Sequence, residues 1–93
     1  MAGPLKIALH DVPEPEALTR MAQQRMAKLS RELPSLVSCR LVAEPAGAQF
    51  EAHVELCFPE RQVLFNHVRA TAEAAVTDAL DSVAGATPLP VAA

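Results

Sequence analysis

Tryptophan and tyrosine are absent from this chain of 93 residues, and phenylalanine occurs only three times. Whatever core forms must therefore be aliphatic. Three glycines leave nothing that resembles a glycine-rich phosphate loop. Cys39 and Cys57 are the only cysteines, too few for a disulfide scaffold and without metal-ligand spacing, so reduced thiols are expected. No apolar run approaches the roughly 18 residues of a membrane helix, and no charged leader precedes an apolar segment. These absences point to a cytoplasmic protein with no membrane partner. No internal repeat or low-complexity tract is present.

What the chain does have is aliphatic mass, with 51% of residues hydrophobic. A domain of this size buries about 60–65% of its unfolded surface, so a core is expected and disorder is not. Charge is unevenly placed. Residues 1–43 carry six basic and four acidic residues, whereas residues 44–93 carry two basic and seven acidic ones, for a total of −3.

The strongest pattern is Glu14–Leu33, EPEALTRMAQQRMAKLSREL. At 100° per residue, Leu18, Ala22, Met26, Leu29 and Leu33 fall in one narrow stripe meant for a core. Arg20, Arg25, Lys28 and Arg31 are read as gathering on the opposite side. Glu14, Pro15 and Glu16 open the helix, with acids in its first turn and a proline where a missing N–H costs little. Pro34 closes it.

Before the helix, Leu5–His10 (LKIALH) alternates as a half-buried strand. After it, Val37, Cys39 and Leu41 alternate with Ser38 and Arg40 as a second strand, followed by an expected loop at Glu44–Ala48. Gln49–Phe58 alternates most cleanly, with Phe50, Ala52, Val54, Leu56 and Phe58 opposed to Glu51, His53, Glu55 and Cys57. Pro59–Glu60 turns the chain into a fourth strand, Arg61–Val68, whose Val63, Phe65 and His67 would lie on the buried side. Thr71–Ala84 is an alanine-rich helix that Gly85 should cap. The order predicts an α+β domain over residues 1–85, β-α-β-β-β-α. It is a four-stranded mixed sheet with both helices packed on one face and one wet face left over. Residues 86–93 are expected to form a disordered tail.

Chemistry finds no convergent residues. His10, His53 and His67 have no zinc spacing, and Cys57 has no flanking lysine or arginine to activate it. Glu51 and Glu55 lie on one wet strand face, where paired acid–base catalysis has no support. No catalytic residue, metal, cofactor or small-molecule substrate is expected, and the chain is read as no enzyme. Binding remains. Arg20, Lys28 and Arg31, with Gln24 between them and Arg25 beside them, form either an ordinary solvated helix surface or a face for phosphates on a small RNA-binding domain.

This order of elements, with a long amphipathic first helix and an alanine-rich second one, resembles the ribosome hibernation promoting factor family, also called ribosome-associated inhibitor A. AAVTDALDSV (Ala74–Val83) is similar to the family's run of Ala, Ile/Val, Asp and Ala, and LVSCRLVAEP to its valine-rich second strand. The likeness spans Leu5–Val83 as diffuse patterns. It implies a short, atypically acidic member, with a fold related to double-stranded RNA-binding domains. It also implies binding to rRNA in the tRNA and mRNA channel of the small ribosomal subunit, which silences idle ribosomes under stress by occlusion. Carried onto this sequence, the RNA-binding candidates are Arg20, Arg25, Lys28, Arg31 and, before the second helix, Arg69. The chain departs from the family where Asp78, Asp81, Ser82 and Gly85 replace a basic helix end. Glu51 and Glu55 also oppose phosphates. The alternative is a protein–protein interaction module on the same fold, using the open sheet face or a strand edge.

Overall fold

The computed structural model describes residues 5–86. The elements are β1 (Leu5–Leu9), α1 (Pro15–Glu32), β2 (Ser38–Ala46), β3 (Gln49–Phe58), β4 (Arg61–Arg69) and α2 (Ala72–Ala86). The sheet runs β1-β2-β3-β4, with β1 parallel to β2 and the other pairs antiparallel. A helical crossover joins the parallel pair, and two-residue turns join the antiparallel ones, as chain lengths require.

Register assigns the faces. Ile7, Leu41, Val54 and Phe65 stand abreast across the four strands, as do Leu5, Cys39, Leu56 and Val63. Both helices cover this face, α1 over β1 and α2 over β3 and β4. Leu18, Ala22, Met26 and Leu29 enter the core from α1. From α2 come Ala72, Ala75, Val76, Ala79, Leu80 and Val83. The alanines permit close approach of helix to sheet. The β3–β4 turn is two residues long, which sets Val63, Phe65 and His67 on the covered side.

Local chemistry sets the ends. Pro15 occupies the first turn of α1, and Glu14 before it takes a left-handed backbone at φ +50°. Thr71 caps α2, its hydroxyl accepting from the Ala74 N–H at 3.1 Å.

Three expectations need correction. The segment Glu44–Ala48 is not a loop, because β2 continues through Pro45 to Ala46 and only Gly47 and Ala48 turn. The pairing of β1 ends at Leu9 and Ala43, so Pro45 lies beyond its reach and no ladder bond is lost for want of an N–H. Gly47 sits at φ +65°. A Cβ there would meet nothing within 4 Å, so glycine is needed for its backbone angle alone. Val37 is 48% exposed, and Leu36 is the buried residue of that approach. Gly85 does not cap α2, which continues to Ala86. The remainder of the expected tail, 87–93, lies outside the described residues.

Candidate nucleic-acid interface

The outward face of α1 carries Arg20, Gln24, Lys28 and Arg31, all exposed. Eleven residues separate the first from the last, about 16 Å along the axis. None of the three cations joins an ion pair among the described residues. They stand there because the core stripe fixes the rotation of the helix. Once Leu18, Met26 and Leu29 face the sheet, these positions face water.

The other two candidates lie elsewhere. Arg25 is not opposite the core; it flanks the stripe on the side of α2 and pairs with Asp81. Arg69 is on the covered face of β4, where its Nε donates to Asp78 Oδ2 at 2.6 Å and its Nη1 to the Val68 carbonyl at 2.7 Å. The two acids that replace a basic helix end are thus the partners of two of the five candidate cations. The acids and the cations come from distant segments, which is why spacing alone did not pair them.

Both pairs are largely exposed, so each contributes less than about 1 kcal/mol. Asp81→Asn should therefore shift the melting temperature by only a few degrees. It should also release Arg25, and so raise the salt concentration at which the protein elutes from heparin. Unchanged or earlier elution would show that Arg25 is not available to polyanions.

Arg69 also organises a small polar cluster. Its Nη2 lies 3.3 Å from His67 Nδ1, and His67 Nε2 lies 2.7 Å from Ser82 Oγ. A guanidinium only donates, so Nδ1 accepts and Nε2 carries the hydrogen. Ser82 in turn donates to the Asp78 carbonyl at 3.0 Å. The imidazole thus gives a proton toward the serine instead of taking one, the reverse of what an activated nucleophile needs. The cluster ties β4 to α2.

On the open sheet face, Glu51 and Glu55 already have partners. Arg40 pairs with Glu55 at 3.0 Å, Gln62 donates to Glu55 at 3.1 Å, and Asn66 donates to Glu51 at 2.7 Å. With Glu44 opposite Glu51 in register, this face does not favour phosphate. A groove between the two helix N-termini is lined by Pro13, Ala17, Leu18 and Met21, and also by Glu14 and Glu73, which repel an anion. Among the described residues no group of three or more His, Cys, Asp or Glu is arranged to hold a metal. No helix described is long and apolar enough to cross a membrane.

The thiols divide as their burial dictates. Burial, and secondarily the nearby Cys57, raises the Cys39 thiol from 9.0 to about 11. Its protonated form is thus favoured in the folded state, so its contribution to stability is full below pH 9 and is lost as pH rises through 11. In a thiol titration of native protein at neutral pH, Cys57 should react and Cys39 should not. Rapid reaction of two thiols would contradict the burial of Cys39.

No family model matches the chain, and no curated protein matches it in sequence. Solved structures do. A ribosomal subunit interface protein from Coxiella burnetii superposes with a TM-score of 0.83 at 7% identity, over 97% of this chain and 99% of that one. The N-terminal domain of Thermus thermophilus Protein Y superposes with a TM-score of 0.70 at 20% identity, over 84% and 87%. The chain has the fold of a ribosomal subunit interface protein. At these identities the likeness is one of architecture, carried by the hydrophobic pattern and the order of elements.

Proposed function

We propose that this protein is a ribosome-binding factor that docks on rRNA of the small subunit through the outward face of α1. In that position it would silence idle ribosomes by occupying space, with no bond made or broken. The observation that carries this reading is the shared fold with a ribosomal subunit interface protein over nearly the full length of both chains. Arg20, Lys28 and Arg31 supply what such docking requires: exposed cations without ion-pair partners among the described residues, in a row on a rigid element.

Cosedimentation with purified small and large subunits over a range of salt tests it. Binding to small subunits is expected at low salt. Three phosphate contacts give a logarithmic salt slope between about −2 and −3. Absence of binding at low salt, or equal binding to large subunits, would overturn the reading and leave the interaction module in its place.

A further inference from the structure

The two edges of the sheet are built differently. β1 is five residues long and carries Lys6 on its open side. β4 is nine residues long, and Leu64 at 65% exposure and Val68 at 41% stand on its open face. The two-residue turn makes Phe58 and Arg61 a hydrogen-bonded pair. Alternation then aims the N–H and C=O groups of Gln62, Leu64, Asn66 and Val68 away from β3. None of these four residues is charged. Between Arg61 and Arg69 at its two ends, this long edge has no lysine, arginine or carboxylate, and such a stretch is a template for another strand.

We infer that β4 pairs antiparallel with β4 of a second copy of this chain, about a two-fold axis through Asn66. The side-chain pattern selects both the occupant and the register. Leu64, Asn66 and Val68 read apolar, polar, apolar, so this axis sets Leu64 against the partner's Val68 twice and Asn66 against its own copy. In this register Arg69 faces Val63 of the partner subunit, and no like charges are opposed within the seam. Moving the axis to Phe65 sets Arg61 against Arg69, a like-charge pair that is destabilising. Moving it to Leu64 sets Val68 against Glu60 of the turn.

The surroundings accept the pairing. The open-face carboxylates nearest the seam, Glu51 and Glu55, already accept bonds from Asn66 and Gln62. The Val68 carbonyl accepts from Arg69 and keeps a second lone pair for the partner's Leu64 N–H. Because α1 lies over β1 at the other edge, the pairing leaves Arg20, Lys28 and Arg31 exposed. The inference therefore stands or falls separately from the ribosomal reading. A seam of one strand is small for a specific interface, below about 1,200 Å², so dissociation on the order of micromolar is expected.

Sedimentation equilibrium of the full chain, from low micromolar to millimolar concentration, combined with amide hydrogen exchange at both ends of the range, tests it. Wild-type protein should pass from monomer to dimer, and the Leu64, Asn66 and Val68 amides should gain at least about tenfold protection with concentration. Leu64→Lys changes an exposed side chain, so it should keep the melting temperature while abolishing both effects. A wild-type chain that stays monomeric throughout would overturn the inference. So would a dimer whose β4 amides exchange freely, or a folded Leu64→Lys variant that dimerises like wild type.

Discussion

Met26→Ala should lower the melting temperature by roughly 10 °C or more, the largest loss of stability expected from shortening a side chain of α1. Met26 heads the fully buried side chains by volume. It lies in the middle of the α1 stripe, between Ala22 and Leu29. Truncation leaves a cavity that small alanines on α2 cannot fill, and such losses cost about 2–5 kcal/mol. A domain of this size shifts by about 4–8 °C per kcal/mol. Met26→Leu, which preserves volume, should cost under about 1.5 kcal/mol. Val37→Ala, at a site 48% exposed, should be nearly neutral. Thermal unfolding of the three variants side by side checks the packing directly. A Met26→Ala shift no larger than that of Val37→Ala would mean that the two helices do not close on the sheet as described.

The residues that were legible in the sequence are those whose environment repeats along the chain. The period of Leu18, Ala22, Met26 and Leu29 and the strict alternation of Phe50 through Phe58 follow from burial on one side, which imposes a regular spacing. Element order came from these periods, and the single helical crossover then made β1 and β2 parallel neighbours. What escaped was set by partners distant in sequence. Pro45 reads as a loop residue, but the short reach of β1 lets it stay in β2. Gly85 reads as a cap, yet α2 runs past it. Arg25 and Arg69 read as members of a basic face, and only the packing of α2 beside α1 and β4 brings Asp81 and Asp78 to them. The apolar edge at Leu64 was written in the run Val63, Leu64, Phe65, which breaks the alternation, but only the sheet order makes β4 an edge strand and leaves Leu64 open.

These ion pairs narrow the electrostatic question to one helix face. A chain of net charge −3 is not drawn to RNA by its total charge, so any attraction must be local. Among the described residues, four of the five cations outside ion pairs, Lys6, Arg20, Lys28 and Arg31, belong to α1 and β1, and the fifth, Arg61, lies on β4. The acids of α2 are partly spent on Arg25 and Arg69, and those of the open face on Arg40, Gln62 and Asn66. Binding by such a surface should therefore depend on a few named side chains.

Arg20→Glu combined with Lys28→Glu should accordingly weaken small-subunit binding by at least about 100-fold while leaving the fold intact. Both side chains are exposed and neither joins an ion pair among the described residues, so the melting temperature should stay within a few degrees of wild type. Each reversal removes a phosphate contact and adds a repulsion. A loss of at least about tenfold apiece, about 1.4 kcal/mol, is expected at low salt. The salt slope should fall by roughly two units as two contacts disappear. A matched control separates the helix face from total charge. Lys6→Glu with Arg61→Glu makes the same change in net charge at sites away from α1, with about 0.5–1 kcal/mol of stability lost where Arg61 lies 5.3 Å over the Phe58 ring. If α1 is the docking surface, the control should weaken binding far less than the α1 double variant at equal salt. Equal losses would mean that only total charge matters, and undiminished binding by Arg20→Glu/Lys28→Glu would remove α1 from the interface.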